Sequence, residues 1–186
     1  MPRMIVNERP VEFDLDPRTP LLFALREAAN LTGTKSCGSG NDCIGAACTV
    51  IIDGAALRSC RVSLAEAEGR YVTTIEGLSR DRAHPVQQAM VAEQAIQCGF
   101  CTPGMVMAAA ALIARNPAPT REEIEAAVPN LCRCGVYPRL VRAIELAGRV
   151  AQRREALSAA PAPGISAEDA AQAVPALSAP AARTDQ

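Results

Sequence analysis

Cysteine is the residue type of this sequence that is best suited to chemistry. The 186 residues include eight cysteines, which fall into two sets of four with a long cysteine-free stretch between them. Four thiolates that come together can hold zinc or an iron–sulfur cluster. The pattern therefore predicts two four-sulfur metal centres, the first formed by Cys37, Cys43, Cys48 and Cys60 and the second by Cys98, Cys101, Cys132 and Cys134.

The spacing within each set favours an iron–sulfur cluster over zinc. Zinc ribbons usually pair two Cys-x-x-Cys knuckles, whereas only Cys98 and Cys101 have that spacing here. A single residue separates Cys132 from Cys134, which is awkward for a zinc knuckle. The first set is a stretched version of the plant-type 2Fe-2S pattern, which has three closely spaced cysteines and a remote fourth. Zinc stays open as the alternative metal at this point.

Composition argues against several other classes of protein. The chain is 49% hydrophobic with a net charge of −1, which allows a substantial core. It has no tryptophan and no runs of Lys or Arg, so we expect no nucleic-acid partner. No apolar stretch approaches the ~20 residues that span a bilayer, and the first residues lack the apolar core of a secretory signal. We therefore expect a cytoplasmic protein, whose thiols stay reduced rather than forming disulfides.

The first 75 residues predict a small mixed sheet crossed by one helix. Residues 4–12 have the pattern of two strands around a turn, and residues 20–30 have the pattern of a helix. A second hairpin turns at Asp53-Gly54, a pair that tolerates positive φ, and places Cys60 on its second strand. Residues 71–75 are another β-rich run. A loop and a hairpin would thus hold the first set of cysteines.

Past residue 77 the pattern changes to four helices, which suggest a compact bundle. His84 is expected to cap the first helix, and Thr102 to cap the second. Thr120 and Glu123 have the spacing of a capping box at the start of the third. Apolar residues along 138–157 recur on one stripe, which predicts the fourth helix.

The second set of cysteines lies at the ends of these predicted helices. Cys98 is expected to end the first helix and Cys101 to begin the second, where the positive end of the helix dipole stabilises a thiolate. Cys132 and Cys134 fall in the connection between the last two helices. From Ser158 the chain becomes rich in Ala and Pro, which predicts a flexible tail or a strap laid over a partner.

Five segments together resemble one family, the iron–sulfur subunits of the molybdenum hydroxylases. This family includes xanthine dehydrogenase, aldehyde oxidoreductase, the small subunits of carbon monoxide dehydrogenase and bacterial N-heterocycle oxidoreductases. The resemblance covers about residues 4–147 and keeps the family's order. The segments are LTGTKSCGSG, CTVIIDG, HPVQQAM, QCGFCTPGM and NLCRCGVYPRLVRAI.

This resemblance implies an α+β fold with two metal-binding domains. It implies a β-grasp 2Fe-2S ferredoxin domain over residues 1–76, a linker over 77–83 and a four-helix 2Fe-2S-binding domain over 84–157, with the tail at 158–186. Each domain would carry one 2Fe-2S cluster. The implied ligands are Cys37, Cys43, Cys48 and Cys60 in the first domain and Cys98, Cys101, Cys132 and Cys134 in the second.

The resemblance also implies a role in electron transfer. A large partner subunit would hold the molybdopterin cofactor, and Gln97 and Cys134 fall at positions that lie against the pterin in relatives. Electrons would pass through both clusters to an FAD-binding medium subunit or a cytochrome, and this chain would have no substrate-converting site of its own. A partner's signal could carry the folded assembly to the periplasm. The alternatives are a free-standing two-cluster ferredoxin and a structural zinc protein.

The first set departs from the family pattern in its spacing. Relatives usually have Cys-x4-Cys-Gly-x-Cys, whereas this chain has Cys37-x5-Cys43-x4-Cys48. Removing Asn41, Ile44 and Ala47 would restore the usual form. We therefore expect the first cluster to differ from those of relatives in its assembly or its potential.

Overall fold

A computed structural model of the chain describes residues 1–36, 38, 43, 45–79, 81 and 83–157. Within these residues five strands and one short helical segment come first and four helices follow, so the α+β class is confirmed. Two main hydrophobic clusters form, one beneath the sheet and one among the helices. We refer to residues 1–79 as the sheet unit and to residues 83–157 as the helical unit. No helix of the described residues is long and apolar enough to cross a membrane.

The sheet unit contains five strands in the order β2-β1-β5-β3-β4. The central strand, β5, runs parallel to β1 and antiparallel to β3. Side chains alternate along β1, so that Met4 and Val6 enter the core. The strands are β1 (Arg3–Val6), β2 (Arg9–Glu12), β3 (Thr49–Ile52), β4 (Ala55–Arg58) and β5 (Tyr71–Thr73).

Both predicted hairpins are confirmed, and each turns through residues with positive φ. Asn7 and Glu8 have φ values of 50° and 66°, and Asp53 and Gly54 have values of 48° and 83°. This geometry matches the right-handed twist of the paired strands. The prediction for Cys60 is wrong, however, because β4 ends at Arg58 and Cys60 lies in the following 3-10 turn.

The helix that crosses the sheet is short and changes its hydrogen-bond pattern. α1 (Leu21–Phe23) continues directly as a π-helical turn over Ala24–Ala28. Pro20 precedes α1 as its cap residue and forms no side-chain hydrogen bond with it. Leu21 and Leu25 pack into the core beneath the sheet, whereas Leu22 packs against cysteines of the first set. One short segment therefore joins the core to the first cysteine group.

The four predicted helices of the second half are confirmed. They are α2 (Pro85–Ala92), α3 (Thr102–Arg115), α4 (Arg121–Ala127) and α5 (Tyr137–Ala151). The His84 ring accepts a hydrogen bond from the Val86 N–H, as expected of a cap. The capping box of Thr120 and Glu123 is also present, with both reciprocal hydrogen bonds formed.

Three predictions about helix ends are wrong. α2 ends at Ala92, so Cys98 lies beyond it in an irregular segment. The cap of α3 is Cys101 itself, and Thr102 is the first helical residue. α5 ends at Ala151 rather than at Leu157. Cys98 is therefore exposed in an irregular segment between α2 and α3 rather than at the end of a helix.

The cap of α4 contributes measurably to the stability of the helical unit. Thr120→Ala removes the hydroxyl that accepts the Glu123 N–H, and loss of such a cap costs about 1 kcal/mol. We expect the melting temperature to fall by about 2–4 °C in far-UV circular dichroism. Thr120→Ser, which keeps the hydroxyl, is the matched control. Equal melting of the alanine variant and the parent would contradict the assigned cap.

Candidate metal centres

Three cysteines of the first set converge in the sheet unit. The sulfur atoms of Cys43, Cys48 and Cys60 all lie within 4.8 Å of one another. The Cys48 sulfur is 3.3 Å from that of Cys43 and 3.4 Å from that of Cys60. Cys43 and Cys48 are fully buried and pack against Leu22. The expected fourth member, Cys37, lies outside the described residues, as do Asn41 and Ile44.

The end of β4 holds this first cysteine group in place. The Arg58 guanidinium donates a hydrogen bond of 3.0 Å to the Cys43 carbonyl. The Ser59 hydroxyl donates one of 2.7 Å to the Cys48 carbonyl, and the Ser59 N–H donates to the same oxygen. The backbone N–H of Cys60 points at the Cys48 sulfur. These bonds tie two separate segments of the chain together, and they bring an arginine cation to the backbone of Cys43.

Burial governs the acid–base behaviour of the Cys48 thiol. Removal from water raises its pKa to about 11, and the Cys60 N–H opposes that shift. Bound metal or cluster iron would reverse this balance, because a coordinating thiol is deprotonated outright. The site therefore has the donors and the water exclusion of a metal centre.

The second set of cysteines forms two contacting pairs in the helical unit. The thiols of Cys101 and Cys132 are neighbours whose pKa values depend on each other, and the thiols of Cys98 and Cys134 are likewise neighbours. Cys101 and Cys132 are buried, Cys134 is half-buried and Cys98 is exposed. This second cysteine group therefore has a buried side and a surface side.

Backbone N–H groups surround the Cys132 sulfur. Burial acts to raise the pKa of this thiol, but the N–H groups of Val136, Cys134 and Gly135 together lower it below its usual value. Gly135 has a φ of 71°, which only glycine adopts readily, and its N–H donates a hydrogen bond of 3.3 Å to the Cys132 carbonyl. This tight turn keeps the N–H groups of residues 134–136 close to Cys132. This turn directly precedes α5, whose N-terminal end adds further positive potential.

Cys101 has the opposite tendency within the same pair. Burial raises the pKa of the Cys101 thiol to about 12, and its hydrogen bond to Cys132 adds to that shift. Cys132 is therefore the first of the two thiols to lose its proton, and Cys101 keeps its own. Cys101 caps α3, which agrees with its expected position at a helix start.

Residues around Cys98 and Cys134 form an exposed and partly apolar surface. Gln97 is exposed directly beside Cys98. Leu131, Phe100 and Ile96 are 54%, 48% and 40% exposed. Gln97 and Cys134, which sequence reasoning placed against a partner's cofactor, thus belong to a surface that a partner could cover.

Two residues of this site were missed by sequence reasoning. The Tyr137 hydroxyl accepts a hydrogen bond of 2.6 Å from the Cys132 N–H. Asn130 is 2% exposed, and its amide donates a hydrogen bond of 2.9 Å to the Ala46 carbonyl of the sheet unit. Both residues lie within the quoted segment NLCRCGVYPRLVRAI, but nothing in that pattern indicates a long-range partner.

Comparisons with known proteins find clear relatives of this chain. The sequence model of the 2Fe-2S binding domain family matches residues 74–145, which include all four cysteines of the second group. The chain is 50% identical to a nicotinate dehydrogenase subunit from Pseudomonas putida, over 80% of this chain and 94% of that one. It is 46% identical to the alpha subunit of isoquinoline 1-oxidoreductase from Brevundimonas diminuta, over 81% of this chain and 99% of that one.

Solved structures show the same fold at similar sequence identity. A chain of quinoline 2-oxidoreductase from Pseudomonas putida 86 superposes with a TM-score of 0.74 at 39% identity, covering 83% of this chain and 96% of that one. The aldehyde oxidoreductase of Desulfovibrio desulfuricans superposes with a TM-score of 0.76 at 38% identity. There the match covers 83% of this chain and only 17% of that protein, so the fold occurs as one part of a longer polypeptide.

The raised pKa of Cys48 predicts a pH dependence for the metal-free chain. A thiol whose folded-state pKa exceeds its unfolded value adds stability below the unfolded value, and that contribution is lost as the pH rises through the folded value. For Cys48 these limits are 9.0 and about 11. We expect the Cys48→Ser variant to lose less stability than the parent over this pH range, by at most about 2 kcal/mol once solvent screening is allowed for.

Thermal melting of the metal-free chain at a series of pH values measures this effect. Ser59→Ala, which changes a neighbour but no titrating group, is the control. Identical pH profiles for the parent and Cys48→Ser would show that burial does not hold the thiol in its neutral form.

Proposed function

This chain belongs to the family of the iron–sulfur small subunits of molybdenum hydroxylases, and we propose that it relays electrons through two 2Fe-2S clusters. Its relatives are oxidoreductase subunits, and the chain is the electron-transfer part of such an enzyme. The observation that carries the proposal is the convergence of the described cysteines into two groups. None of these described cysteines forms a disulfide.

The first cysteine group fits a cluster with Cys37 as its fourth ligand. Three thiols already lie within 4.8 Å of one another, and cluster iron is held by four cysteine thiolates. Leu22 packs against Cys43 and Cys48 on the buried side, and the Cys60 N–H compensates negative charge on the Cys48 sulfur. We propose that this group belongs to a β-grasp ferredoxin domain over residues 1–76, joined by the linker 77–83 to the helical domain 84–157.

The second cysteine group fits a cluster through its division into pairs. A 2Fe-2S cluster has two irons, and four cysteines supply two thiolates to each. The two contacting pairs, Cys101 with Cys132 and Cys98 with Cys134, offer that division. The N–H groups around Cys132 favour its thiolate form before any metal binds. Each cluster would supply the ability to accept and release one electron at a time.

The exposed side of the second cysteine group supports a direction for the relay. Gln97 and Cys134 lie on the surface, next to the exposed apolar residues described above, and we propose that a large molybdopterin-binding subunit covers them. Electrons would then enter at the second group and leave from the first, toward an FAD-binding subunit or a cytochrome. The predicted tail, residues 158–186, lies outside the described residues. We place the assembly in the cytoplasm, or in the periplasm if a partner carries the signal.

Iron and acid-labile sulfide per chain, together with low-temperature EPR of the reduced complex, test the proposal. Two clusters predict four irons per chain and two distinct signals. Two irons and one signal would contradict the first cluster, and zinc without iron would contradict both. A chain that carries both clusters but purifies without a molybdenum subunit would be a free-standing ferredoxin.

Replacement of either buried cysteine of the second group tests the two clusters independently of each other. Cys101→Ser and Cys132→Ser should each remove the second cluster, leave the first EPR signal and halve the iron content. Turnover with an external acceptor should stop, while substrate still reduces the molybdenum of the partner. The matched control is Ser79→Ala, at an exposed site away from both groups. Undiminished turnover in either cysteine variant would remove the second cluster from the relay.

A further inference from the structure

The two cysteine groups are joined by one side chain. Asn130 precedes Cys132 by two residues, and Ala46 precedes Cys48 by two residues. The Asn130 amide donates a hydrogen bond of 2.9 Å to the Ala46 carbonyl. A single hydrogen bond therefore links one candidate ligand loop directly to the backbone of the other.

The acceptor carbonyl is held rigidly in its own loop. Ala46 has a φ of 47°, a conformation that non-glycine residues seldom adopt. The same carbonyl accepts hydrogen bonds from the Thr49 hydroxyl at 2.7 Å and from the Thr49 N–H at 3.1 Å. Three donors thus fix one oxygen at the start of β3, and the strain at Ala46 persists because its surroundings determine it.

The helical unit is shaped to reach this oxygen. Gly104 of α3 faces the Ala46 carbonyl so closely that a Cβ atom would overlap it, and that atom would also lie 2.9 Å from the Ala47 Cα. Only a residue without a side chain permits this approach. The glycine brings the two backbones together, and Asn130 bridges them at their closest point.

Asn130 has a feature that stability alone does not explain. Its Oδ1 atom is buried and has no hydrogen-bond partner among the described residues. An unsatisfied buried acceptor costs free energy, and an apolar side chain of similar size would avoid that cost. The directional hydrogen bond that the Asn130 amide nitrogen donates to Ala46, rather than a gain in stability, explains why this position has an amide side chain.

We propose that Asn130 is a positioning residue that sets the spacing and orientation of the two cysteine groups relative to each other. This inference rests on the proposed function, since the spacing matters because electrons must cross between the groups. Asn130 itself binds neither iron nor electrons. It acts through the Ala46 carbonyl and therefore through the loop that carries Cys48.

Two substitutions in the full complex, purified with its partner subunits, test this role. Asn130→Leu has a similar volume and removes both the donor and the unsatisfied acceptor. Gly104→Ala keeps the Asn130 side chain, but its Cβ would overlap the Ala46 carbonyl and lie 3.0 Å from Asn130 Nδ2, so it displaces the same hydrogen bond. It therefore also covers the case in which Asn130→Leu fails to fold. Asn116→Leu is the matched control, because Asn116 bonds to Glu123 within the helical unit.

The decisive measurement is the magnetic interaction between the two clusters when both are reduced. A residue that only stabilised the fold would leave this interaction unchanged. We expect iron content to stay at the parental value in Asn130→Leu and Gly104→Ala, while the EPR splitting caused by that interaction changes. The rate of electron passage from the second cluster to the first, measured by rapid freezing, should fall severalfold, because electron transfer slows exponentially as the distance between two centres increases. The control should keep both properties.

Unchanged splitting and unchanged transfer in both variants would overturn the role of Asn130. A change that appears only together with loss of iron would also overturn it, because the residue would then support assembly rather than spacing. A parent complex without two clusters would instead contradict the proposed function, so the two failures are distinguishable.

Discussion

The close packing of α3 on the Ala46–Ala47 backbone is the contact that places the two cysteine groups relative to each other. Cys101 caps α3, and the loop that α3 touches carries Cys48. Gly104 is the residue that makes the contact possible, because a side chain there would overlap the Ala46 carbonyl. The sheet unit and the helical unit each have a core of their own. This contact makes the relation between them definite, since directional hydrogen bonds fix geometry better than apolar packing does.

The two cysteine groups differ in how their sulfur atoms are surrounded. The first is enclosed by Leu22 and by the turn after β4. The second has one member, Cys132, at the focus of three backbone N–H groups and another, Cys98, at the surface. Hydrogen bonds to sulfur and exposure to solvent both tune the potential of an iron–sulfur cluster. The two groups therefore provide different electrostatic environments for their sulfur atoms.

The longer first loop has a local consequence in the structure. Ala46 takes up a left-handed conformation, and Ala47, one of the three residues beyond the usual spacing, is fully buried beside Cys48. This added residue is thus not simply extruded into solvent. The backbone next to it carries the carbonyl that meets the helical unit, so the spacing of the cysteines and the packing of the two units are coupled.

Sequence by itself determined the features that depend on neighbouring residues. Hairpins at Asn7-Glu8 and Asp53-Gly54, the His84 cap and the capping box at Thr120 follow from local hydrogen bonds and allowed φ values, which any chain with those residues satisfies. The grouping of the cysteines also followed from their spacing, together with the resemblance of five short segments to one family. Tertiary structure alone decided the features that depend on distant residues. These include the end of α2 at Ala92, the pairing of Cys98 with Cys134 and the hydrogen bond from Asn130 to Ala46, which are 84 positions apart. Their energies depend on which backbone atoms come within hydrogen-bond reach after the units pack, and burial raises the cost of any polar atom left unpaired. A local pattern contains no information about that reach, which is why the bridge between the two cysteine groups is visible only in the folded chain.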